Sequence, residues 1–227
     1  MGERRCGMAE LEWRDGGIPV STRFDDPYFS LNGGLEETRH VFLRGNGLPE
    51  RLHQGFHVAE LGFGTGLNML ALLIASGGVP VRFTSFEAFA MDAAQIARAL
   101  AAFPEAEAVA APFLAAWAAG RTRFTIGAME VEVIAGDARE TLPAWQGRAD
   151  AWFLDGFSPA KNPELWGEEM MAAVASHTVP GGTFATYTAA GHVRRALQSA
   201  GFEVTRLPGY GGKRHMSAGR LTPSGAA

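Results

Sequence analysis

Cysteine occurs once, at Cys6, so no internal disulfide can form. The six histidines show no HxH or HExxH spacing, which leaves the chain without a zinc signature, and no metal is expected. No apolar run approaches the roughly 20 residues of a membrane-crossing helix, and none is expected to enter a membrane. The opening Met1-Gly2-Glu3-Arg4-Arg5-Cys6 leads to Glu10, Glu12 and Asp15 rather than to the apolar core of a secretion signal. Internal repeats and low-complexity linkers are also missing. These absences leave a cytoplasmic globular chain as the expectation. Its 227 residues, 47% hydrophobic and 19% charged, suffice for one domain of ordinary size.

Charge is scarce but unevenly placed. The net value is −4, yet residues 171–227 hold six basic side chains against Glu203 alone. The first 170 residues therefore carry −9. This balance argues against bulk attraction to nucleic acid and leaves room for a local basic patch near the C-terminus, with a solvated surface as the alternative.

Glycine and proline are plentiful (29 and 12) and punctuate the chain at short intervals. From residue 57 onward the pattern is strand, turn, helix, repeated. Apolar runs at 57–61, 81–86, 150–154 and 183–187 read as strands, with 122–125 and 130–134 as a hairpin. Residues 67–75, 92–101 and 113–119 read as helices. Val193, Ala196, Leu197 and Ala200 follow at helical spacing, and Gly201 stands where a helix-terminating glycine belongs. Two last strands, 203–207 and 215–221, have no helix between them. The alternation predicts an α/β fold with a mainly parallel sheet covered on both faces and a C-terminal antiparallel hairpin. This arrangement resembles the Rossmann-like class I methyltransferases. Residues 1–56, with a hairpin at 11–13 and 18–20 and a helical stretch at 35–43, are expected to lid a core formed by 57–227, in a single domain.

Glu60-Leu61-Gly62-Phe63-Gly64-Thr65-Gly66 ends one strand and opens a helix, a place where backbone can approach a ligand closely and donate N–H groups to it. Leu67 breaks the dinucleotide fingerprint, and the Lys-Ser/Thr of a P-loop is absent. An acid ahead of the glycines suits a cofactor with an amino-acid moiety and a ribose. Glu87 closes the next strand, where a carboxylate can accept from ribose hydroxyls. Asp137, with Ala138, follows the third and is placed to accept from an adenine amine; Asp155 follows the fourth. Acids at successive strand ends make S-adenosyl-L-methionine the expected cofactor, held by Glu60, Gly62, Phe63, Gly64, Thr65, Gly66, Asn68, Glu87, Asp137 and Ala138. For each acid singly, a solvated loop or a helix cap is the alternative.

The run Trp152-Phe153-Leu154-Asp155-Gly156-Phe157-Ser158-Pro159-Ala160-Lys161-Asn162-Pro163-Glu164-Leu165-Trp166 resembles the methyltransferase half of the bifunctional bacterial tRNA wobble-uridine enzymes, which make 5-methylaminomethyl-2-thiouridine. Further matches are 24–30 (Phe-Asp-Asp-Pro-Tyr-Phe-Ser), 34–39, 62–68, 181–195 and 211–214, in order along the chain. Leu61 stands where that family has Ser, and Gly212 and His215 also depart from it. The resemblance implies methylation of the exocyclic amine of 5-aminomethyl-(2-thio)uridine in the anticodon stem-loop of tRNA. The bifunctional enzymes continue into an FAD-dependent oxidase, whereas this chain stops at Ala227. It therefore looks like a stand-alone methyltransferase whose substrate comes from a separate oxidase or another enzyme.

Methyl transfer to an amine needs a carboxylate that orients the nitrogen and helps with its proton. Asp155 fits by position, and the resemblance gives the same residue. Methylation at pyrimidine carbon 5 usually needs a thiolate, and Cys6 in the N-terminal tail is a poor source of one. Phe157 is placed either to stack on the uracil or to pack in the core. Tyr28, Glu36 and Glu37 are substrate-side candidates, the two glutamates having a solvated helix face as the alternative. Lys161, Arg194, Arg195, Lys213 and Arg214 are candidates for tRNA phosphates. The rival readings are a small-molecule amine methyl- or aminopropyltransferase of the spermidine-synthase kind and a non-catalytic RNA-binding module.

Overall fold

The computed structural model describes residues 7–14, 17–30 and 33–223. β1 (Gly7–Met8) precedes a small antiparallel sheet of β2 (Leu11–Arg14), β3 (Ile18–Ser21) and β4 (Asp26–Pro27). The expected N-terminal hairpin is therefore present; Asp15 and Gly16 of its turn lie outside the described residues, as does Cys6. The helical stretch expected at 35–43 is α1 (Gly34–Thr38), continued by a π turn at Arg39–Leu43 and a 3-10 turn at Arg44–Asn46.

Strand and helix then alternate: β5 (Phe56–Leu61), α2 (Leu67–Ala75), β6 (Val81–Glu87), the short β7 (Phe89–Ala90) paired with β1, α3 (Ala93–Leu100) and α4 (Pro104–Ala118). β8 (Arg123–Ile126), β9 (Met129–Ala135), α5 (Ala138–Ala144), β10 (Ala149–Leu154), α6 (Glu168–Ser176) and β11 (Thr178–Thr186) follow. α7 (Gly191–Ser199), β12 (Phe202–Pro208) and β13 (His215–Leu221) complete the described chain. The eight-stranded sheet runs β12-β13-β11-β10-β5-β6-β9-β8; β11, β10, β5, β6 and β9 are parallel, and β8, β12 and β13 pair antiparallel. The mainly parallel sheet and its terminal hairpin are as the sequence predicts.

Every residue of β5 is buried because helices cover both faces of the sheet. Alternate side chains of β10 feed two cores: Ala151 and Phe153 pack with Val58, Phe83 and Phe113, while Trp152 and Leu154 pack with Leu61, Met171 and Leu197. Val41, Phe42 and Leu48 from the N-terminal segment belong to the first of these cores. From the central pair β5 and β10 the chain winds outward in opposite directions, which opens a crevice between their C-terminal ends. The turn after β5 and Asp155 after β10 therefore face each other.

Four of the larger elements differ from the expectation. α4 begins at Pro104, nine residues ahead of the predicted 113, because Pro104 sits in the first turn, where no N–H is needed; Pro112 is carried inside the helix. α5, which carries Pro143, and α6 have no counterpart in the sequence reading. β11 starts at Thr178 rather than 183, since the register jumps from Ala149 opposite Thr178 to Ala151 opposite Thr183 and folds Pro180-Gly181-Gly182 into a bulge. No helix among the described residues is long and apolar enough to cross a membrane.

Candidate active site

A cavity of about 940 Å³ occupies the crevice at the C-terminal ends of the parallel strands. Gly62, Gly64 and Gly66 adopt φ of 84°, 54° and 73°, conformations that favour glycine. A Cβ on Gly62 would lie 3.1 Å from the Gly156 Cα, so the absence of a side chain lets the turn after β5 touch the loop after β10.

Beneath the cavity, one amide joins two carboxylates. The Thr38 hydroxyl donates to Asn68 Oδ1 (2.8 Å), which turns Asn68 Nδ2 toward Glu60 Oε1 and Asp155 Oδ2, each at 2.8 Å. The Ser85 hydroxyl donates to the other Glu60 oxygen (2.7 Å), and the Gly156 N–H to Asp155 Oδ1 (2.8 Å). Burial pushes the Asp155 carboxyl up to about 6, against the opposing bonds from Asn68 and Gly156. Burial raises Glu60 further, and the nearby Asp155 adds to it.

Of the residues expected to hold a cofactor, Gly62, Phe63, Gly64, Thr65, Asn68, Glu87, Asp137 and Ala138 line the cavity. Glu60 does not: it is 0% exposed, below Asn68, whose amide it accepts from. Gly66 likewise stands behind the lining, as the N-cap of α2 packed against Phe63 and Phe113. Glu87 accepts the Gly64 N–H (2.9 Å) and the Phe89 N–H (2.6 Å), which ties the glycine turn to the end of β6. Asp137 caps α5 through the Arg139 N–H (2.9 Å) and pairs with the Arg139 guanidinium (2.5 Å), which holds its carboxyl below the usual range. The helix-cap alternative thus describes Asp137 as it stands.

On the substrate side, Tyr28 and Phe157 line the cavity with Phe24: Phe157 stacks on Phe24 (4.6 Å between centroids) and meets Tyr28 edge-on (5.0 Å). The two glutamates part company. Glu37 faces the cavity and bonds the Lys213 ammonium (2.7 Å), whereas Glu36 is exposed, does not line it, and pairs with Arg39 (2.6 Å). Lys161 reaches the rim, where it bonds Asp25. Arg194 and Arg195 on α7, and Arg214 beyond Lys213, lie outside the cavity lining. Several lining residues were not among the candidates, Asp26, Tyr187 and Arg139 among them. Asp26 accepts the Ser158 N–H (2.7 Å) and so fastens the N-terminal segment to the loop after Asp155. Tyr187 donates to the Gly156 carbonyl (2.9 Å), and Arg139 borders Asp137. Asp26 sits inside the matching block 24–30, the signal by which it could have been found. Among the described residues, no cluster of three or more His, Cys, Asp or Glu is arranged to hold a metal.

A family profile described as S-adenosyl-L-methionine-dependent methyltransferase matches residues 102–222, just over half of the chain. The chain belongs to that family. The tRNA 5-methylaminomethyl-2-thiouridine biosynthesis bifunctional protein MnmC of Chromobacterium violaceum is 45% identical over 234 residues, covering 96% of this chain and 35% of that protein. Its namesake in Pseudomonas aeruginosa is 45% identical over 226 residues, covering 93% of this chain and again 35% of the relative. This methyltransferase therefore spans about a third of the length of the curated relatives it matches. Among solved structures, MNMC2 from Aquifex aeolicus superposes with a TM-score of 0.75 at 23% identity, over 96% of this chain and 72% of that one. Spermidine synthase from Thermotoga maritima gives 0.53 at 13% identity, over 94% and 71%. Both share the fold.

S-adenosyl-L-methionine is thus the cofactor, as the glycine turn and the strand-end acids lead one to expect. The lining of the methyltransferase cavity fits it. The volume is that of a small-molecule site, Leu67 and Asn68 at the start of α2 line it, and Glu87 and Asp137 present acceptors at two neighbouring strand ends.

Proposed function

We propose that this methyltransferase acts on the exocyclic amine of 5-aminomethyl-(2-thio)uridine at the tRNA wobble position, producing the 5-methylaminomethyl form. The observation that carries the reading is Asp155, a carboxylate held between Asn68 and the Gly156 N–H at the edge of an aromatic-lined cavity. The named function of the relatives at 45% identity supports the choice of substrate. When bound, S-adenosyl-L-methionine supplies an electrophilic sulfonium methyl: the amine lone pair forms the new N–C bond, the S–C bond breaks to a neutral thioether, and the amine loses one proton.

The residues of this chain do the rest. Asp155 accepts a hydrogen bond from the amine, orients its lone pair and takes up the released proton. With its carboxyl at about 6, it is ionised at neutral pH and still basic enough for that transfer. Phe24, Tyr28 and Phe157 offer apolar surface to the uracil. Glu87, Asp137 and the glycine turn hold the cofactor, and Lys161 at the rim, together with Arg194, Arg195 and Arg214, is assigned to tRNA phosphates. The free amine must first be exposed by an upstream activity on the same nucleotide, and the resemblance puts an FAD-dependent oxidase in that role.

The test is mass spectrometry of nucleosides from tRNA bearing 5-aminomethyluridine, after incubation with the protein and S-adenosyl-L-methionine. Conversion to the methylaminomethyl nucleoside is expected, with Asp155→Ala slower by about 10²–10⁴-fold and cofactor affinity little changed. Cofactor binding without conversion would move the assignment to small amines.

A further inference from the structure

The Lys213 ammonium is placed unlike an ordinary surface cation. It projects from the turn joining β12 and β13 into the lining of the cavity, 2.7 Å from Glu37 Oε1 and 4.3 Å from the centroid of the Tyr187 ring. Glu37 is 9% exposed, so the acceptor of this pair is buried although the lysine side chain is partly open to solvent. The Tyr187 hydroxyl is held by the Gly156 carbonyl, which fixes its ring beside the loop carrying Asp155. Asp155 and Glu37 both bear electrostatically on Tyr187, and Lys213 bears on Asp155. A buried carboxylate and an aromatic face therefore meet the ammonium directly, with the Asp155 carboxylate on the loop beside that ring, the set that binds an alkylammonium.

A lysine side chain ends in –CH₂–NH₃⁺, and so does the 5-aminomethyl substituent of the proposed substrate. We infer that Glu37, Tyr187 and Asp155 form the ammonium subsite for the substrate, and that Lys213 fills it as a placeholder until the substrate arrives. This inference rests on the proposed function for the identity of the substrate but not for the existence of the subsite. Two cations cannot share one ring face and one carboxylate oxygen, so Lys213 has to withdraw. The Lys213 side chain is 45% exposed and rides on a turn containing Gly209, Gly211 and Gly212, so withdrawal breaks one ion pair and disturbs no core. A site that is mostly self-occupied binds its ligand more weakly by the fraction of time it stands open.

The experiment is calorimetry on the full chain saturated with S-adenosyl-L-homocysteine, using 5-aminomethyluridine, 5-methyluridine (which lacks the amine) and n-butylammonium as probes. Lys213→Gln is expected to bind 5-aminomethyluridine and n-butylammonium about tenfold more tightly than the parent, corresponding to an open fraction of about one tenth. Affinity for 5-methyluridine should not change, and adding Glu37→Gln should abolish the gain. Equal affinity of parent and Lys213→Gln for n-butylammonium overturns the placeholder, even if tRNA is methylated normally. An equal gain for 5-methyluridine overturns it too, since that reports added space rather than a vacated cation site. A gain for n-butylammonium with no binding of either nucleoside upholds the subsite and removes the uridine assignment instead.

Discussion

At the scale of single residues, the notable group is the Asn68 amide rather than a charge. Its Nδ2 bridges Glu60 and Asp155, and the Thr38 hydroxyl prevents the amide from turning over. A hydrogen bond donated to a carboxylate favours the ionised form, so Asn68 holds the Asp155 carboxyl lower than burial alone would leave it. Removing that donor raises the carboxyl above about 6. In Asn68→Leu the acid limb of the pH–rate profile should therefore move to higher pH, with activity at pH 6.5 falling several-fold more than at pH 8.5. Thr38→Val, which leaves the amide in place but unlocked, should move the limb in the same direction by less. An unshifted limb in both variants would remove Asn68 from the control of Asp155, whatever the loss of overall rate.

At the scale of elements, the glycine turn combines two constraints that substitution can separate. Gly62 needs a positive φ and also faces the Gly156 backbone at 3.1 Å, whereas Gly77 needs a positive φ with nothing within 4 Å. Gly77→Ala should cost about 1 kcal/mol in chemical denaturation, the strain of the left-handed backbone alone. Gly62→Ala should cost about 2–4 kcal/mol and also weaken cofactor binding, because the loop after β10 has to give way. Equal losses would mean that the close approach of the two loops is easily relieved. The same elements mark what the sequence made legible. α2 is found where it was expected, because apolar residues fill it and Gly66 opens it, and β6 ends at Glu87 as read. α4 runs from Pro104 through Pro112, a local helix breaker that tertiary packing of Ala110, Phe113 and Ala116 overrides, and so extends ahead of the expected 113. Glu36 and Glu37 are adjacent and chemically alike, so only the helix phase, set by packing, could assign Glu37 to the cavity and Glu36 to solvent. Tyr187 was invisible as a site residue because nothing nearby in the chain marks it; its role comes from Gly156, 31 residues away.

At the scale of the whole molecule, buried titratable groups of opposite tendency set the response to pH. Burial lowers His57 from 6.5 to about 4, beneath Trp145 and against the Thr84 hydroxyl. The unfolded chain binds that proton more readily, so the contribution of His57 is fully present above pH 6.5 and is lost as pH falls toward about 4. Glu60, Glu87 and Asp155 shift upward and work in the other direction, losing stability as pH rises from the ordinary carboxylate range through their folded values. The stability of the parent relative to His57→Gln should therefore fall by about 2–3 kcal/mol between pH 7.5 and 4.5 in urea titrations; a constant difference would mean that His57 titrates normally. The order of strands carries a consequence in time. The hairpins β8–β9 and β12–β13 close between neighbours in the chain, but β5 meets β10 only by joining Val58 to Ala151 across 93 residues. Topologically distant pairings are the slow ones to form. Asn68 and Asp155 come together only across that seam, so a refolding chain should regain much of its sheet before it can bind a ligand, and the ability to bind should return with the final kinetic phase.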